Sequence, residues 1–465
     1  MITRYIQDRR WFRAKARGLA SAEVEETFPL DLGGETISFA FVRCTYADGG
    51  FDHYVLPMAT ASGEEAARIQ REQAHLVIGP DAGKAGLVYD ALGSVRILGA
   101  LLERFRHGGT RIATREPGRA TLVFRPYPAL DAPWPGDTAP KPTRTEQTNT
   151  SIVFGTAFIL KIVRKIDPGV SAELEMGELL TRHGYTSAPQ VVGAIELERP
   201  GSPPSTVGIL HRFVANQGDA WTATLKELEA STAPAHYRTH AELLGRRIGE
   251  MHVALATATE PAFVPEPLGK DVRATLAEAV RHEVKVLARF LRDGDELRID
   301  QRLKAFVELP VDPPRMRVHG DLHLGQILAI GAGPPEHTIR DFVVIDFEGE
   351  PARSLEERKA KRMPLADVAG MLRSFDYAAA TALRASSVEQ ARTWYRSTAE
   401  AFLGAYRAAT AASPALALDD ATMRTCLDFY LLEKCCYEIA YEANNRPDWL
   451  AIPQGGLQDL LDGGA

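Results

Sequence analysis

The stretch Arg317-Val318-His319-Gly320-Asp321-Leu322-His323-Leu324-Gly325-Gln326, followed by the apolar run Phe342-Val343-Val344-Ile345 and then Asp346-Phe347-Glu348, decides how this chain is read. It has the form of a catalytic loop joined to a metal-binding loop. The separation of 25 residues between Asp321 and Asp346 is enough for a β-hairpin to fold back and set both carboxylates at one cleft. The intervening GAGPPEHT reads as its turn.

Phosphoryl transfer to an alcohol requires a carboxylate that orients the hydroxyl and accepts its proton, and Mg²⁺ ions that bridge the phosphate oxygens. Asp321 is the expected base. In the kinase pattern a metal-binding amide lies five residues after that aspartate, which selects Gln326, while Asp346 holds the other metal contacts. A lysine must reach the phosphates of ATP, and Lys161 sits at the end of the apolar strand AFILKI. Its expected partner is Glu175 on the following helix, with Glu178 one turn on as the competitor. No G-x-G-x-x-G precedes Lys161. Gln147-Thr148-Asn149-Thr150-Ser151 occupies the turn between strands instead, offering hydroxyls, an amide and backbone N–H groups to phosphate oxygens.

Working outward, residues 28–58 read as strands around a DGG turn of the hairpin type. The proline-rich stretch from Pro126 to Thr145 cannot pack as a helix, because each proline removes a backbone donor and clashes with the preceding turn. SIVFGTAFILKIVRK then reads as strand, turn, strand, and PGVSAELEMGELLTRHG as a helix between Pro168 and Gly184. Two further strands follow in APQVVGAIEL and TVGILHRFV. From about residue 220 the apolar pattern is helical in long segments, interrupted by one strand-rich island at 315–347. The expectation is an α+β, bilobal protein-kinase-like fold: a strand-rich lobe with one helix, then a helical lobe containing a β-island.

At 465 residues the chain is long enough for two or three cooperating subdomains. With 54 Lys and Arg against 61 Asp and Glu, the net charge of −7 provides no field for a polyanion, so nucleic-acid binding is disfavoured. The start, MITRYIQDRRWFRAKARG, is charged and lacks the apolar segment of a signal peptide, and no uncharged apolar run approaches membrane-spanning length. Cys44, Cys426, Cys435 and Cys436 lack ligand-like spacing. These features lead to the expectation of a cytoplasmic protein with reduced thiols.

Each motif has a plainer reading. An isolated HGD triplet is usually chance, and only its order and spacing with the later Asp-Phe-Glu give it weight. His319 and His323 around Asp321 are also the donor set of a hydrolase metal site, although no second dense histidine cluster accompanies them. Lys161 and Glu175 alone would be an ordinary surface pair. Arg9, Arg10, Arg13, Lys15 and Arg17 read as a solvated face, Trp11 and Phe12 as packing residues, and RSLEERKAKR at 353–362 as a solvated helix.

RRWFRAKAR at 9–17, NTSIVFG and LKIVRKIDPG through Gly169, FVANQGDAW at 213–221, VHGDLHLGQ at 318–326, DFEGEP at 346–351, MPLADVAGMLRSFDYAA at 363–379 and LLEKCCYEIAYEANNRPDWLAIP at 431–453 occur in one order. Over nearly the whole chain this set resembles the bacterial maltokinases, aminoglycoside-phosphotransferase-like kinases that make maltose 1-phosphate from maltose and ATP. The chain departs from the family in RWFRAKAR, where relatives usually have RWFGGKGR, and in the adjacent cysteines of the C-terminal helix. The resemblance implies a cap subdomain at 1–90, an intermediate region and linker at 91–145, an N-lobe at 146–215 and a helical C-lobe at 216–465.

It also implies Asp321 as base, Gln326 and Asp346 as Mg²⁺ ligands, and Lys161 and Glu175 at the phosphates. Thr150 and Ser151 lie on the phosphate-binding turn, and Arg212, Phe213 and Val214 lie where adenine is contacted. His319, Tyr377, Glu438, Tyr441, Glu442 and Asn445 are the candidate sugar contacts, four of them on one predicted helical stripe. The cofactors implied are ATP and Mg²⁺, and the acceptor is maltose or a related sugar. A trehalose synthase partner and a place in α-glucan assembly follow from the same resemblance. The alternatives are a kinase for glucosamine or another sugar, a pseudokinase or binding subunit, and the histidine-based hydrolase. Intact Asp321, Gln326, Asp346 and Lys161 weigh against the pseudokinase.

Overall fold

In the computed structural model the described residues are 1–31, 36–83, 85–106, 108–114, 119–130, 134, 137–142, 148–230, 233–331, 338–351, 353–383 and 387–463. Gln147 and most of the expected turn GAGPPEHT lie outside them. The chain divides into two units, Met1–Glu178 with Pro189–Ala215, and Leu179–Ala188 with Asn216–Ala465. Residues 179–188 were expected with the strand-rich part. They belong to the second unit because they bond within it: the Tyr185 hydroxyl donates to Arg247 O at 2.8 Å, and Ser187 O accepts from Val344 N.

In the first unit α1 (Ile2–Gln7) precedes an antiparallel meander of β1 (Leu19–Asp31), β2 (Thr36–Tyr46) and β3 (Phe51–Ser62). The DGG turn joins β2 to β3, with Gly49 at φ +83°. The strands extend beyond the expected 28–58, because the first part of β1 (LASAEVEET) is polar and partly exposed and so carries no apolar run. After α2 (Gly63–Glu72), β4 (Val77–Pro80) and β5 (Gly86–Asp90) complete the order β1-β2-β3-β5-β4.

Beyond α3 (Val95–Glu103) come β6 (Thr110–Ala113), β7 (Thr121–Pro126), β8 (Pro140–Pro142), β9 (Thr150–Phe154), β10 (Phe158–Ile162), β11 (Lys165–Ile166), α4 (Ala172–Arg182), β12 (Val191–Glu198) and β13 (Ser205–Arg212). The second sheet runs β6-β7-β12-β13-β10-β9-β8. The proline-rich connection therefore contributes a short strand, tolerated because β8 is at the sheet edge, where a missing N–H leaves no ladder bond unmade. β11 leaves this sheet and pairs with β3, Lys165 opposite Tyr54.

Alternation along β2 feeds two cores. Ile37, Phe39 and Phe41 join residues of the second sheet such as Ile152, Phe154 and Phe158. Ala40, Val42, Cys44 and Tyr46 pack with Tyr5, Ile6, Trp11 and Phe12 on the opposite face. Each large side chain so buried contributes roughly 1.5–3 kcal/mol.

The second unit is built on long helices: α5 (Ala220–Ala230), α6 (Pro234–Ala256), α7 (Lys270–Val286), α8 (Asp295–Val307), α9 (Leu355–Lys359), α10 (Leu365–Leu383), α11 (Val388–Thr410), α12 (Asp420–Asn445) and α13 (Ala451–Leu461). Among them lie the short pair β14 (Glu266–Pro267) with β15 (Pro314–Arg315), and the hairpin β16 (Ile327–Gly331) with β17 (Ile339–Val344). A capping box of Ser354 and Glu357 starts α9 within the basic run. The four cysteines are reduced and buried. Among the described residues no helix is long and apolar enough to cross a membrane.

Candidate active site

The loop around Asp321 is held by a carboxylate 46 residues further along. Asp367, on the first turn of α10 and 1% exposed, accepts the backbone N–H of His319 at 2.8 Å and of Gly320 at 2.9 Å. Nε2 of the fully buried His252, on α6, lies 3.1 Å from the same carboxylate, and its Nδ1 lies 3.0 Å from the Tyr406 hydroxyl of α11. Burial works against a charge on Asp367, but the His252 bond and the neighbouring donors outweigh it and hold the carboxyl below its ordinary value.

Gly320 adopts φ +83°, a left-handed conformation that turns the chain between the two anchored N–H groups and Asp321. Gly370 on α10 allows a close approach of the loop, since a Cβ there would lie 2.4 Å from Leu322 O. The Asp321 N–H donates to His319 Nδ1 at 3.3 Å, so His319 presents Nε2–H to Ile345 O at 2.9 Å. One neutral tautomer thus links the loop to the residue before Asp346. His323 Nδ1 accepts from Gly325 N at 3.0 Å, and burial pushes its imidazolium pKa down.

Strand register sets the second carboxylate. Ile327 pairs with Val344, and Ile345 N donates to Gln326 O at 2.9 Å, so Gln326 faces Ile345 across the hairpin with Asp346 next in the chain. Asp346 is the one non-glycine at positive φ (+67°) among the described residues. Such backbone costs of order 1–3 kcal/mol and persists where the surroundings fix it.

On the first unit, Lys161 lies opposite Ser151 of β9 and Ile209 of β13, so Lys161 and Ser151 share a face. Its Nζ is 2.7 Å from Glu173 Oε2, with the two side chains 16% and 6% exposed. The expected partner was Glu175; the pairing with Glu173 is one the sequence reading did not name. At 3.6 residues per turn Glu175 lies about 200° around α4 from Glu173, and the helix starts at a phase that turns Glu173 to the strand. Glu178 hydrogen-bonds Tyr127. Thr150 Oγ1 accepts from Arg164 Nε at 2.8 Å. Arg212 ends β13 with its guanidinium on Ala129 O at 3.0 Å, and Phe213 N donates to Ala157 O. Val214 follows in the loop after β13.

The predicted stripe on α12 divides. Glu438 is buried and accepts Arg373 Nε at 2.8 Å, and burial raises its carboxyl above the usual range. Glu442 is 1% exposed and taken up by the Tyr377 hydroxyl at 3.1 Å and by Arg446 at 2.6 and 2.9 Å. Tyr441 and Asn445 are exposed. Two of the four are therefore buried and two exposed, the Glu438 carboxylate being taken by Arg373 of α10. What lies near Asp321 is a residue the sequence reading missed, Lys434, whose Nζ is 3.9 Å from Asp321 Oδ1. Its ammonium also sits 5.0 Å over the ring of Tyr437, which stacks with Tyr441 at 6.3 Å. The spacing 434, 437, 441 is helical and was the available signal.

Residues 141–402 match the sequence profile of the phosphotransferase enzyme family, and residues 5–93 that of the maltokinase N-terminal cap domain. The glucosamine kinase of Mycolicibacterium smegmatis is 26% identical over 359 residues, covering 71% of this chain and 82% of that protein. That of Streptacidiphilus jiangxiensis is 27% identical over 334 residues, covering 68% and 72%. A solved structure of glucosamine kinase in complex with glucosamine, ADP and inorganic phosphate superimposes with a TM-score of 0.67 at 19% identity over 99% of each chain, a likeness of fold.

Proposed function

The chain belongs to the phosphotransferase enzyme family, and from that premise we propose that it moves the γ-phosphate of ATP onto a sugar hydroxyl, with maltose as acceptor and maltose 1-phosphate as product. The observation that carries the reading is the anchored loop of Asp321 tied through His319 to the chain beside Asp346. Asp321 orients the acceptor hydroxyl and takes its proton. Lys161, steadied by Glu173, holds the nucleotide phosphates, with Ser151 on the same face of the sheet. Gln326 and Asp346 are the residues that would hold Mg²⁺, and an amide oxygen and a carboxylate are the hard donors that ion takes. Bound there, Mg²⁺ neutralises charge on the phosphate oxygens.

The Lys161 pairing supplies a sharp contrast. Glu173→Gln is expected to lower kcat/KM for ATP at least about tenfold, because a half-buried ammonium loses a counter-charge 2.7 Å away, whereas Glu175→Gln changes it less than about threefold. Steady-state kinetics on the two variants checks this, and the reverse order would return the role to Glu175.

Maltose is favoured by the cap-domain match and by the segments DFEGEP and 431–453. Lys434 beside Asp321 adds a physical reason: a neutral sugar meets no like charge there, while an ammonium bound within a few ångströms does. The stacked Tyr437 and Tyr441 offer apolar faces to sugar rings. Trehalose synthase, as a source of maltose, is the partner this reading implies. Glucosamine is the second reading, favoured by the two curated relatives. ADP release with ATP and Mg²⁺ against maltose, glucosamine, glucose and water decides between them. Maltose-dependent turnover is expected; turnover on glucosamine alone would move the acceptor, and none on any sugar would sink the kinase reading.

A further inference from the structure

Arg164 is 2% exposed, three residues past Lys161, and its guanidinium is held by several partners. NH2 donates to Asp90 Oδ2 at 2.8 Å and Nε to Thr150 Oγ1 at 2.8 Å, while the guanidinium carbon lies 5.0 Å from the Trp11 ring. Its backbone N–H donates to Asn149 Oδ1 at 3.3 Å and its carbonyl accepts from Val55 N at 2.8 Å. Asp90, 1% exposed, also accepts from the Tyr5 hydroxyl at 3.2 Å and from Leu92 N at 3.1 Å. Tyr5, Trp11, Val55 and Asp90 lie in the segment matching the cap profile; Asn149, Thr150 and Arg164 lie in the segment matching the phosphotransferase profile.

We propose that the cap positions the phosphate-binding turn through the buried relay Tyr5–Asp90–Arg164–Thr150, making Asp90 and Arg164 positioning residues for the nucleotide. The role of Thr150 in this rests on the kinase reading above. A buried ion pair is poor value as a mere clamp, because desolvating both charges cancels most of their attraction and apolar residues of equal volume would hold the strands as well. A guanidinium fork adds direction: its donors are fixed in one plane, so a carboxylate on one side sets where a hydroxyl sits on the other. Thr150 and Ser151 alternate along β9, so fixing Thr150 on the Arg164 side sets the backbone from which Ser151 projects on the face of Lys161.

The test pairs hydrogen exchange of the amides at 148–152 in the nucleotide-free protein with kinetics of full-length Asp90→Asn, Arg164→Lys and Tyr5→Phe. Asp90→Asn and Arg164→Lys are expected to speed exchange at 148–152 about tenfold, with α12 unchanged, and to raise KM for ATP about tenfold. The acceptor KM should hold and kcat should fall less than about threefold. Tyr5→Phe, which removes a single oxygen and keeps the ring packed, shifts both readouts the same way by about twofold and carries the test where Asp90→Asn does not fold. Unchanged exchange and unchanged KM for ATP, or a lowered melting temperature alone, would overturn the relay. A wild type that binds no ATP would remove the nucleotide role, and the exchange data would then still support or overturn the coupling of cap to turn.

Discussion

Asp321→Asn is expected to lower kcat by at least about 10³-fold while the protein folds, melts and binds nucleotide as the wild type does. The substitution keeps the shape of the side chain, and the loop geometry is set by backbone groups, the N–H groups of His319 and Gly320 on Asp367 and that of Asp321 on His319. What disappears is the group proposed above to accept the hydroxyl proton, and a positioned general base contributes about 10²–10⁴ in rate, with orientation of the nucleophile adding to it. Lys434 loses a charge 3.9 Å away, but its side chain is 32% exposed and water compensates. Single-turnover kinetics beside calorimetric nucleotide titration measures both halves of the expectation. Retention of more than about a tenth of the activity would mean that the proton leaves by another group, and His323, held neutral by burial, would be the next to substitute.

Asp367→Ala is expected to cost roughly 3–5 kcal/mol of stability and to reduce kcat along with it, because two loop N–H groups and a fully buried His252 lose their acceptor together. The pH dependence provides a separate signature. The folded carboxyl titrates below its ordinary value of 3.8, so its contribution is present above that pH and is lost as pH falls below it. The wild type should therefore shed this part of its stability below about pH 4, and in Asp367→Asn that part of the profile should flatten. Denaturant melts from pH 7 to pH 3 test this, and parallel profiles would show that the carboxylate is not what holds the loop.

The parts of this arrangement that could be read from the sequence are the ones written in neighbouring residues. The hairpin from Gln326 to Asp346 is a local pairing of apolar strands, and the long amphipathic helices announce themselves by period. Asp367 and His252 act over separations of 48 and 115 residues, and no spacing rule reaches that far. The Lys161–Glu173 pair depends on where α4 begins, a boundary that shifts by a residue or two with the entering loop. What the helical spacing on α12 does not convey is the burial of Glu438 and Glu442, because their partners Arg373 and Tyr377 lie on α10. Lys434 was legible by phase and overlooked by chemistry, since an ammonium beside the proposed general base is not the first group sought.

β11 gives the history of the chain a constraint. By pairing with β3 it stitches the segment after Lys161 into the N-terminal sheet, and Ile152, Phe158 and Ile166 share one apolar interior with Phe28, Phe39 and Phe41. The seam between two recurring sequence modules thus runs through the middle of a single hydrophobic interior rather than across a linker. Exchange of caps between relatives must carry these contact residues along or refit them, so the N-terminal module and the strands it packs on are inherited as a pair.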